Sequence, residues 1–391
     1  MRILFQRRHL GDCLLLIKNG ANIKQDKGTG GIPITRIETL SGGVFNRDRL
    51  GYAGIDQPGK YESFILESGD LLFSHINSKA YIGRTVLYQK EGSEVIIHGM
   101  NLLRIKVIPE LLIPKYLYYT TLTEGFKSQG ASSRKDAVNQ SSISVSDIKR
   151  IIIPVPSLIE QQRIVDELDL LTGIIEKKNA QLRDLDALAQ SIFYEMFGDP
   201  SESKYPVAKL SSLATGKLSY GSGASAIIFD GQTRYVRITD IQEDGRLSPD
   251  AMSPSQYDAK YLLNDGDILF ARSGATVGKT YLYDSKDGNA IYAGYLIRLV
   301  PNQEIVLPEY IYHFTRSHYY RAFIASNVQA VAQPNINAQQ YGNLSVCVPP
   351  ISEQKVFAEE IHSLESKRDM IWSSIKDTQT LLDSRMSHYF G

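Results

Sequence analysis

Cysteine and long apolar runs are scarce in this sequence of 391 residues. The two cysteines, Cys13 and Cys347, stand far apart in apolar contexts, which predicts reduced, buried thiols and no cysteine-based metal site. No apolar run approaches the length of a membrane span, and the N-terminal MRILFQRRHL lacks the apolar core of a signal peptide. We therefore expect a cytoplasmic protein with no membrane contact.

Signatures of catalysis are also missing from the sequence. There is no Gly-rich cofactor fingerprint between a strand and a helix, no Asn/Asp-Pro-Pro-aromatic tetrapeptide of the amino-methyltransferase kind, and no P-loop. The seven histidines show no metal-ligand spacing. Asp166 and Glu176–Lys178 superficially resemble a nuclease pattern, but they lie inside a strong heptad repeat, so chance explains them better. The sequence predicts no catalytic residue, no metal site and no cofactor.

What the chain does contain is a long stretch that occurs twice. Residues 155–198 return as residues 348–391, and a constant offset of 193 residues aligns the copies without a gap. Neither copy has an internal proline beyond its first few residues, and apolar residues recur at steps of three and four, which predicts a long helix with a heptad seam. At about 1.5 Å per residue, roughly 40 residues form a rod of about 60 Å.

An apolar seam of this length requires a partner, and the other copy in the same chain is the nearest one. We expect the two helices to pair as an antiparallel intramolecular coiled coil. The second seam is weaker, because Arg368, Thr378 and Arg385 interrupt it. The predicted seam residues are Ile164, Leu168, Leu171, Ile175, Leu182, Leu185 and Ile192 in the first copy, and Phe357, Ile361, Leu364, Ile371, Ile375 and Leu382 in the second.

The regions before the helices are repeated more loosely. Residues 66–73 (LESGDLLF) match residues 263–270 (LNDGDILF), and the Pro-x-Tyr segments that begin at Pro114 and Pro308 match as short helices. The alternating runs after each Gly-Asp strand, around a Glu-Gly or an Asp-Gly turn, predict a hairpin in each block. The chain is therefore a pseudo-two-fold tandem repeat of α+β class, in which each β-rich block with short helices precedes a long helix.

The organisation divides the chain into four segments. The globular blocks are residues 1–154 and 199–347, and the long helices are residues 155–198 and 348–391. The helical segments are acidic: residues 154–200 carry four Lys/Arg against nine Asp/Glu. Because phosphate backbones are neutralised by Lys and Arg, any contact with nucleic acid should come from the globular blocks.

The tandem layout and the motifs at its junctions resemble a known family. The most specific marks are Pro154–Pro156, Leu158, Glu160–Gln161, Ser191, Phe193 and Glu195–Pro200. With these marks the sequence looks like the DNA-specificity subunit of a type I restriction-modification system, over essentially the whole chain. The second copy departs from the pattern, with Cys347 in place of the first proline and Ser387–Tyr389 in place of Tyr194–Met196.

The resemblance implies two target-recognition domains, each reading one half of a bipartite, asymmetric double-stranded DNA target. It also implies that the paired helices dock two DNA-methyltransferase subunits, and that restriction subunits join the complex in systems that have them. The chain itself would then be a non-catalytic subunit. Two other readings stay open: a coiled-coil scaffold that binds only proteins, and the specificity subunit of a system that only modifies DNA. An independent nuclease is disfavoured by the absence of a catalytic constellation.

The loops that differ between the two blocks are the natural readers of DNA, because a shared scaffold with divergent loops gives divergent specificity. The first candidate follows the Gly-Asp strand in each block; an exposed polar loop without function is the alternative. Arg36 and Arg237 match between blocks and suggest either a phosphate clamp or an ion pair at the edge of the core. The predicted DNA contacts of this group are Arg36, Ser74, His75, Asn77, Lys79 and Arg84 in the first block, and Arg237, Arg272, Ser273, Thr276 and Lys279 in the second.

A second candidate is the amide-rich stretch before the last strand of each block. Asparagine and glutamine are suited to adenine edges, but they also satisfy their own backbone in turns and helix caps, and both readings stay open. The residues of this group are Arg134, Lys135, Gln333, Asn335 and Asn337.

Overall fold

The computed structural model describes residues 5–23, 30–78, 81–132, 134–136, 141–328 and 334–391. The chain forms two compact units. Unit 1 comprises Met1–Lys177 and Ile375–Gly391, and unit 2 comprises Lys178–Ser374. Each unit therefore contains one globular block together with part of each long helix.

Unit 1 is built around a four-stranded antiparallel sheet in the order β2-β8-β5-β7. The Gly-Asp strand β5 is central and fully buried, as its unbroken run of apolar side chains predicts. The strands of the unit are β1 Arg7–His9, β2 Leu14–Asn19, β3 Pro33–Ile34, β4 Gly51–Tyr52, β5 Leu71–Phe73, β6 Ile76–Asn77, β7 Thr85–Leu87, β8 Leu103–Val107, β9 Lys135–Asp136, β10 Ser141–Ser142 and β11 Ile152–Pro154. Its helices are α1 Pro114–Leu122, α2 Glu124–Ser132, α3 Val145–Arg150 and the first part of α4 Leu158–Phe197.

Unit 2 repeats this plan with the sheet β13-β20-β17-β18. The strand β12 pairs with β21 just as β1 pairs with β11, so each block is closed by its own first and last strands. The strands are β12 Val207–Lys209, β13 Ser219–Tyr220, β14 Ala226–Ile228, β15 Arg234–Val236, β16 Met252–Pro254, β17 Ile268–Ala271, β18 Thr280–Leu282, β19 Ala290–Tyr292, β20 Leu296–Leu299 and β21 Ser345–Cys347. The helices are α5 Pro308–Phe314, α6 His318–Val328, α7 Ala338–Gly342 and α8 Ile351–Phe390, of which the last part lies in unit 1.

The hairpins predicted after the Gly-Asp strands are wrong. In unit 2, β18 pairs with β17, whereas β19 pairs in parallel with β15. In unit 1, β7 pairs with β5, and Ile97 forms isolated bridges with Ile34 and Ile65. The alternation of side chains marks the strands but does not identify their neighbours, because strand pairing depends on tertiary context; β19 is buried along its whole length.

Each Gly-Asp turn carries a buried ion pair that both units share. Asp70 lies 2.7 Å from Arg104, and both side chains are buried. Its counterpart Asp267 lies 2.5 Å from Arg298. Burial raises the pKa of both carboxyls, against the opposing effect of the arginines and of the backbone amide that each carboxylate accepts from. These aspartates stabilise the fold, because without them the arginine charge would be buried with no partner, which is costly.

The glutamine of the Glu-Gln pair at the start of each long helix has a structural role as well. Gln161 is completely buried; its Oε1 accepts from the Ile113 amide at 2.8 Å, and its Nε2 donates to the carbonyl oxygens of Leu111 and Pro156. Gln354 makes the same three bonds in unit 2, to Leu307, Ile305 and Pro349. The glutamine thus joins the long helix to the start of α1 or α5 and to the exit of the last strand.

The long helices pair in antiparallel fashion within each unit. In unit 1, Glu167 of α4 accepts from Tyr389 at 2.6 Å and lies 2.8 Å from Arg385 of α8. In unit 2, the Lys178 amine donates to Ser374 at 2.6 Å. All of the predicted seam residues are buried or half-buried. The paired helices also join the domain cores: Ile164, Leu168 and Tyr389 belong to the core of unit 1, and Phe193, Phe357 and Ile361 to that of unit 2.

The arginines that interrupt the second seam bind carboxylates of the facing helix. Arg385 lies 2.8 Å from Glu167 of α4. Arg368, which is almost fully buried, lies 3.3 Å from Asp186 of α4 and 2.8 Å from Glu365 of its own helix. In the described part of the chain, no helix is both long enough and apolar enough to cross a membrane.

Candidate nucleic-acid interface

In each block, the loop after the Gly-Asp strand lies beside the residues that end the amide-rich stretch. In unit 1, β6 and β10 pair, and the Ile143 amide donates to the His75 carbonyl at 2.9 Å. In unit 2, the Ile336 amide donates to the Arg272 carbonyl at 2.8 Å, and Ser273 bridges to Asn335. Sequence patterns could not show this adjacency, because the partners lie more than 60 residues apart.

Unit 1 holds an open cleft at this place, with a volume of about 880 Å³. Four of the predicted residues line it, namely Arg36, Ser74, Asn77 and Arg84. The structure adds further residues that sequence reasoning missed. They are Arg49, Tyr81, Met100 and Asn101.

The cleft is rich in arginine. Arg84 lies over the ring of Tyr81, with 4.3 Å between the guanidinium carbon and the ring centroid, so a cation–π contact holds its position. Arg36 lies 3.5 Å from the exposed carboxylate of Glu38. Among the described residues, no carboxylate lies within ion-pair distance of Arg49 or Arg84. Such a group of guanidinium ions attracts phosphate.

Two of the predicted contacts in unit 1 lie beneath the surface. His75 is 5% exposed and Ser74 is 1% exposed. The Ser74 hydroxyl accepts from the Asn77 side chain at 3.1 Å, and burial lowers the pKa of His75 to about 4. These two residues support the loop, and Asn77, which is half-buried, is the polar side chain nearer the cleft.

The buried histidine has a consequence for stability. The fold favours the neutral ring of His75. Its contribution to the free energy of unfolding is therefore complete above the ordinary pKa of 6.5 and is lost as the pH falls toward about 4. We expect the melting-temperature difference between the wild type and His75→Gln to become smaller as the pH is lowered from 6.5 to about 4. Thermal denaturation from pH 4 to 7.5 tests this, with His362→Gln at an exposed position as the control. A difference that does not change with pH contradicts the assignment.

Unit 2 presents a different cation at the corresponding place. The Arg272 Nε donates to the Asn335 Oδ1 at 3.2 Å, and its guanidinium lies over the ring of Tyr220 at 4.8 Å. Lys279, which matches Arg84, lies 2.8 Å from Glu243. The charge of Lys279 is therefore partly neutralised, while no described carboxylate pairs with Arg272.

Two further predicted contacts in unit 2 have intramolecular partners. Arg237 binds Asp240 through Nε at 3.1 Å and through Nη2 at 2.6 Å, and this pairing raises the pKa of the arginine. Of the two roles considered for Arg237, the ion pair at the edge of the core is the one that this geometry favours. Asn337 caps α7, with its side chain accepting from the Gln340 amide at 2.9 Å.

The remaining predicted residues lie as follows. Thr276 donates to the Ser273 carbonyl, which closes the loop after β17. Arg134 is half-buried, and the backbone of Lys135 belongs to β9. Lys79 and Gln333 lie outside the described residues. No group of three or more His, Cys, Asp or Glu side chains that could hold a metal ion occurs among the residues that the structure describes.

Sequence and fold together define a tandem-repeat protein whose two α+β blocks are joined by paired helices. A family model described as the type I restriction modification DNA specificity domain matches residues 4–184 and 207–376. The chain belongs to this family.

Known proteins agree with this membership. The chain is 28% identical over 382 residues to a specificity subunit ascribed to the MjaX type I restriction enzyme of Methanocaldococcus jannaschii, with 92% of this chain and 86% of that one covered. It is 21% identical to the StySPI specificity subunit of Salmonella potsdam, over 90% of this chain and 79% of the relative. The crystal structure of a type I S subunit from M. genitalium shares the fold, with a TM-score of 0.56, 14% identity, and coverage of 100% and 96% of the two chains.

Proposed function

We propose that the chain reads a bipartite, asymmetric double-stranded DNA target for a type I restriction-modification complex, with one half-site bound by each unit. One observation supports this most strongly. The same scaffold presents different groups: unit 1 buries His75 and leaves Arg84 open, whereas unit 2 leaves Arg272 open and pairs Lys279 with Glu243. A protein that reads two different sequences requires this combination of shared scaffold and divergent surface.

The reading surface in unit 1 is the cleft with Arg36, Arg49 and Arg84, and in unit 2 it is the surface around Arg272. We assign the arginines of the cleft to phosphate and Asn101 to a base edge, because amides match the donor and acceptor pattern of adenine. The Asn77 side chain already accepts from the Ser78 amide and donates to the Ser74 hydroxyl. The other predicted contacts that stay proposals are Asn77, Arg134, Lys135, Ser273, Thr276, Asn335 and Asn337.

The division of labour along the chain is also a proposal. Residues 1–154 and 199–347 serve as target-recognition domains, and the helices of residues 155–198 and 348–391 separate them and dock two methyltransferase subunits. The acidic character of the helical segments supports this, because acidic helices are poor partners for DNA. We assign methyl transfer, and DNA cleavage where a restriction subunit exists, to partner subunits, so this chain acts without catalysis of its own.

The test of the proposed function is a methylome. A host that expresses the chain with its methyltransferase subunits should gain methylation at one split motif, read by single-molecule sequencing. A host that expresses the methyltransferase alone is the control and should gain none. Methylation without sequence preference, or none with both proteins present, overturns the proposal. Addition of the restriction subunit then distinguishes a restriction system from a system that only modifies DNA.

The arginines of the cleft give a quantitative prediction. Replacing Arg84 with alanine in the complex should weaken binding and make the dependence of log K on log salt less steep by about one, because one phosphate contact is lost. The Arg49→Ala change should add a similar effect. Arg150→Ala, at an exposed arginine that pairs with Asp147 outside the cleft, is the matched control and should leave the slope unchanged. An unchanged slope in Arg84→Ala contradicts the phosphate assignment. Fluorescence anisotropy titrations at several salt concentrations provide the measurement.

A further inference from the structure

Arg272 occupies the backbone position that His75 occupies in unit 1. Both residues follow the buried Gly-Asp strand, and both carbonyl oxygens accept from the isoleucine that follows the amide-rich stretch, Ile336 or Ile143. In unit 1 this position is closed, since His75 is 5% exposed. In unit 2 the Arg272 side chain is half-buried, and its hydrogen bond to Asn335 is exposed. The two units therefore present different chemistry at this position.

The guanidinium of Arg272 is held on two sides. Its Nε donates to the Asn335 side chain, and its plane lies over the ring of Tyr220. Both supports are themselves fixed by backbone contacts: the Tyr220 hydroxyl accepts from the Ala338 amide at 3.0 Å, and Asn335 bridges to Ser273. An arginine held in this way loses less side-chain entropy on binding than a free one.

The end of the guanidinium that carries Nη1 and Nη2 is left open. Within residues 141–328 and 334–391, no acceptor bonds to either nitrogen and no carboxylate pairs with the side chain. Because Nε is already occupied, the two Nη groups remain as a pair of parallel donors. Guanine presents two neighbouring acceptors, O6 and N7, in the major groove, and this pair is the commonest specific partner of a bidentate arginine.

Two other roles for Arg272 fit the observations less well. A structural arginine would have a carboxylate partner, as Arg237 has in Asp240 and Arg298 has in Asp267. A phosphate clamp needs charge but no fixed orientation, and the orientation of Arg272 is held by both an amide and an aromatic ring. The arrangement is the one that base recognition requires.

We propose that the half-site read by unit 2 contains a guanine whose O6 and N7 accept from the Nη groups of Arg272, with Asn335 as the positioning residue. This inference rests on the proposed function of the chain, and it adds the identity of one base and the residue that reads it. It also implies that the unit 1 half-site is read differently, because His75 cannot present a donor pair at the same position.

The experiment uses the complex of the full chain with its methyltransferase subunits, and it begins with selection from a random DNA library. We expect a split motif in which the half-site altered by Arg272 variants contains a guanine. Replacing that guanine with 7-deazaguanine, which lacks the N7 acceptor, should weaken binding by the wild type roughly 5- to 150-fold. The same replacement should have no further effect on Arg272→Ala. Arg321→Ala, at an exposed arginine on α6, is the control and should keep the wild-type preference.

Asn335 is tested through a conservative rescue. Asn335→Ala should lower the preference for guanine over adenine at that position while the affinity for non-specific DNA stays the same. Asn335→Gln, which keeps an amide oxygen that can accept from Nε without adding a charge, should retain more of the preference than Asn335→Ala. Melting temperatures of all variants verify that they are folded.

The outcomes separate the inference from the proposed function. If the library yields no motif, the proposed function fails. If a split motif appears but Arg272→Ala changes no half-site, or changes one that has no guanine, this inference fails and the proposed function stands. If Arg272→Ala weakens binding to all sequences equally, the residue is a phosphate clamp and the base assignment is overturned.

Discussion

A matched heptad deletion from both long helices should abolish methylation at the original target and produce a motif with a shorter gap. The deletion removes residues 172–178 from α4 and residues 374–380 from α8. Seven helical residues span about 10 Å, and a base pair rises by about 3.4 Å, so the gap should shorten by up to about three base pairs. Affinity should fall as well, because three base pairs rotate one half-site by roughly 100° about the duplex axis.

The two segments are matched because they face each other in the antiparallel pairing. Lys178 bonds to Ser374 at one end of the deleted stretch, and Glu167 lies 2.8 Å from Arg385 beyond the other. Removing a whole heptad from each helix keeps the seam on the same face. The chain should therefore keep its folded helix pair, which circular dichroism and thermal denaturation verify.

The control is an unmatched deletion of residues 172–178 alone. It places the two seams seven residues out of step, so contacts such as Arg163 with Tyr389 and Arg368 with Asp186 cannot all form. We expect loss of target methylation and no motif with a new gap. A methylome with the original gap in the matched variant would show that the helices do not set the distance between half-sites.

Sequence alone predicts most of the scaffold, because the residues that form the scaffold occur in both repeats. The looser repeat of residues 66–73 as residues 263–270 anticipates equivalent sheets in the two units, and the heptad seam anticipates helices that the structure places at Leu158–Phe197 and Ile351–Phe390. A repeated pattern is informative since each copy must satisfy the same packing.

The pairing of β19 with β15 could not be predicted in this way. Local alternation and a turn dipeptide favour a hairpin, but the parallel partner is more than 50 residues away in sequence. The same limitation hid the candidate site, because Arg272 and Asn335 become neighbours only through pairing of distant segments. Arg49 lies just before β4 and belongs to no recognisable motif, so no local sequence pattern identifies it as a candidate.

The ion-pair partners of charged residues are likewise predictable only when they are close in sequence. The pair of Arg237 and Asp240 lies three residues apart, so it could have been anticipated from spacing. The pair of Lys279 and Glu243 links segments that only the fold brings together. Which cations stay available for DNA is therefore a tertiary property, and the sequence yields a longer set of candidates than the structure supports.

The Gln161→Met substitution should be among the most destabilising single changes in unit 1. Methionine has a similar length, but it cannot replace the amide that bonds to the Ile113 amide and to the carbonyls of Leu111 and Pro156. Each buried backbone group left without a partner costs about 1–3 kcal/mol, so we expect a loss of roughly 3–5 kcal/mol in the free energy of unfolding. The site is completely buried, and water cannot easily replace the amide.

The chain supplies its own control one residue further along. Gln162 is exposed and bonds only to Asp166 within its own helix, so Gln162→Met should change the free energy of unfolding by less than about 0.5 kcal/mol. Gln354→Met should reproduce the large loss in unit 2, since Gln354 makes the same three bonds. Denaturant titrations provide the measurement. Equal stability of the Gln161 and Gln162 variants would mean that the Glu-Gln pair is repeated for a reason other than this buried junction, such as contact with a partner subunit.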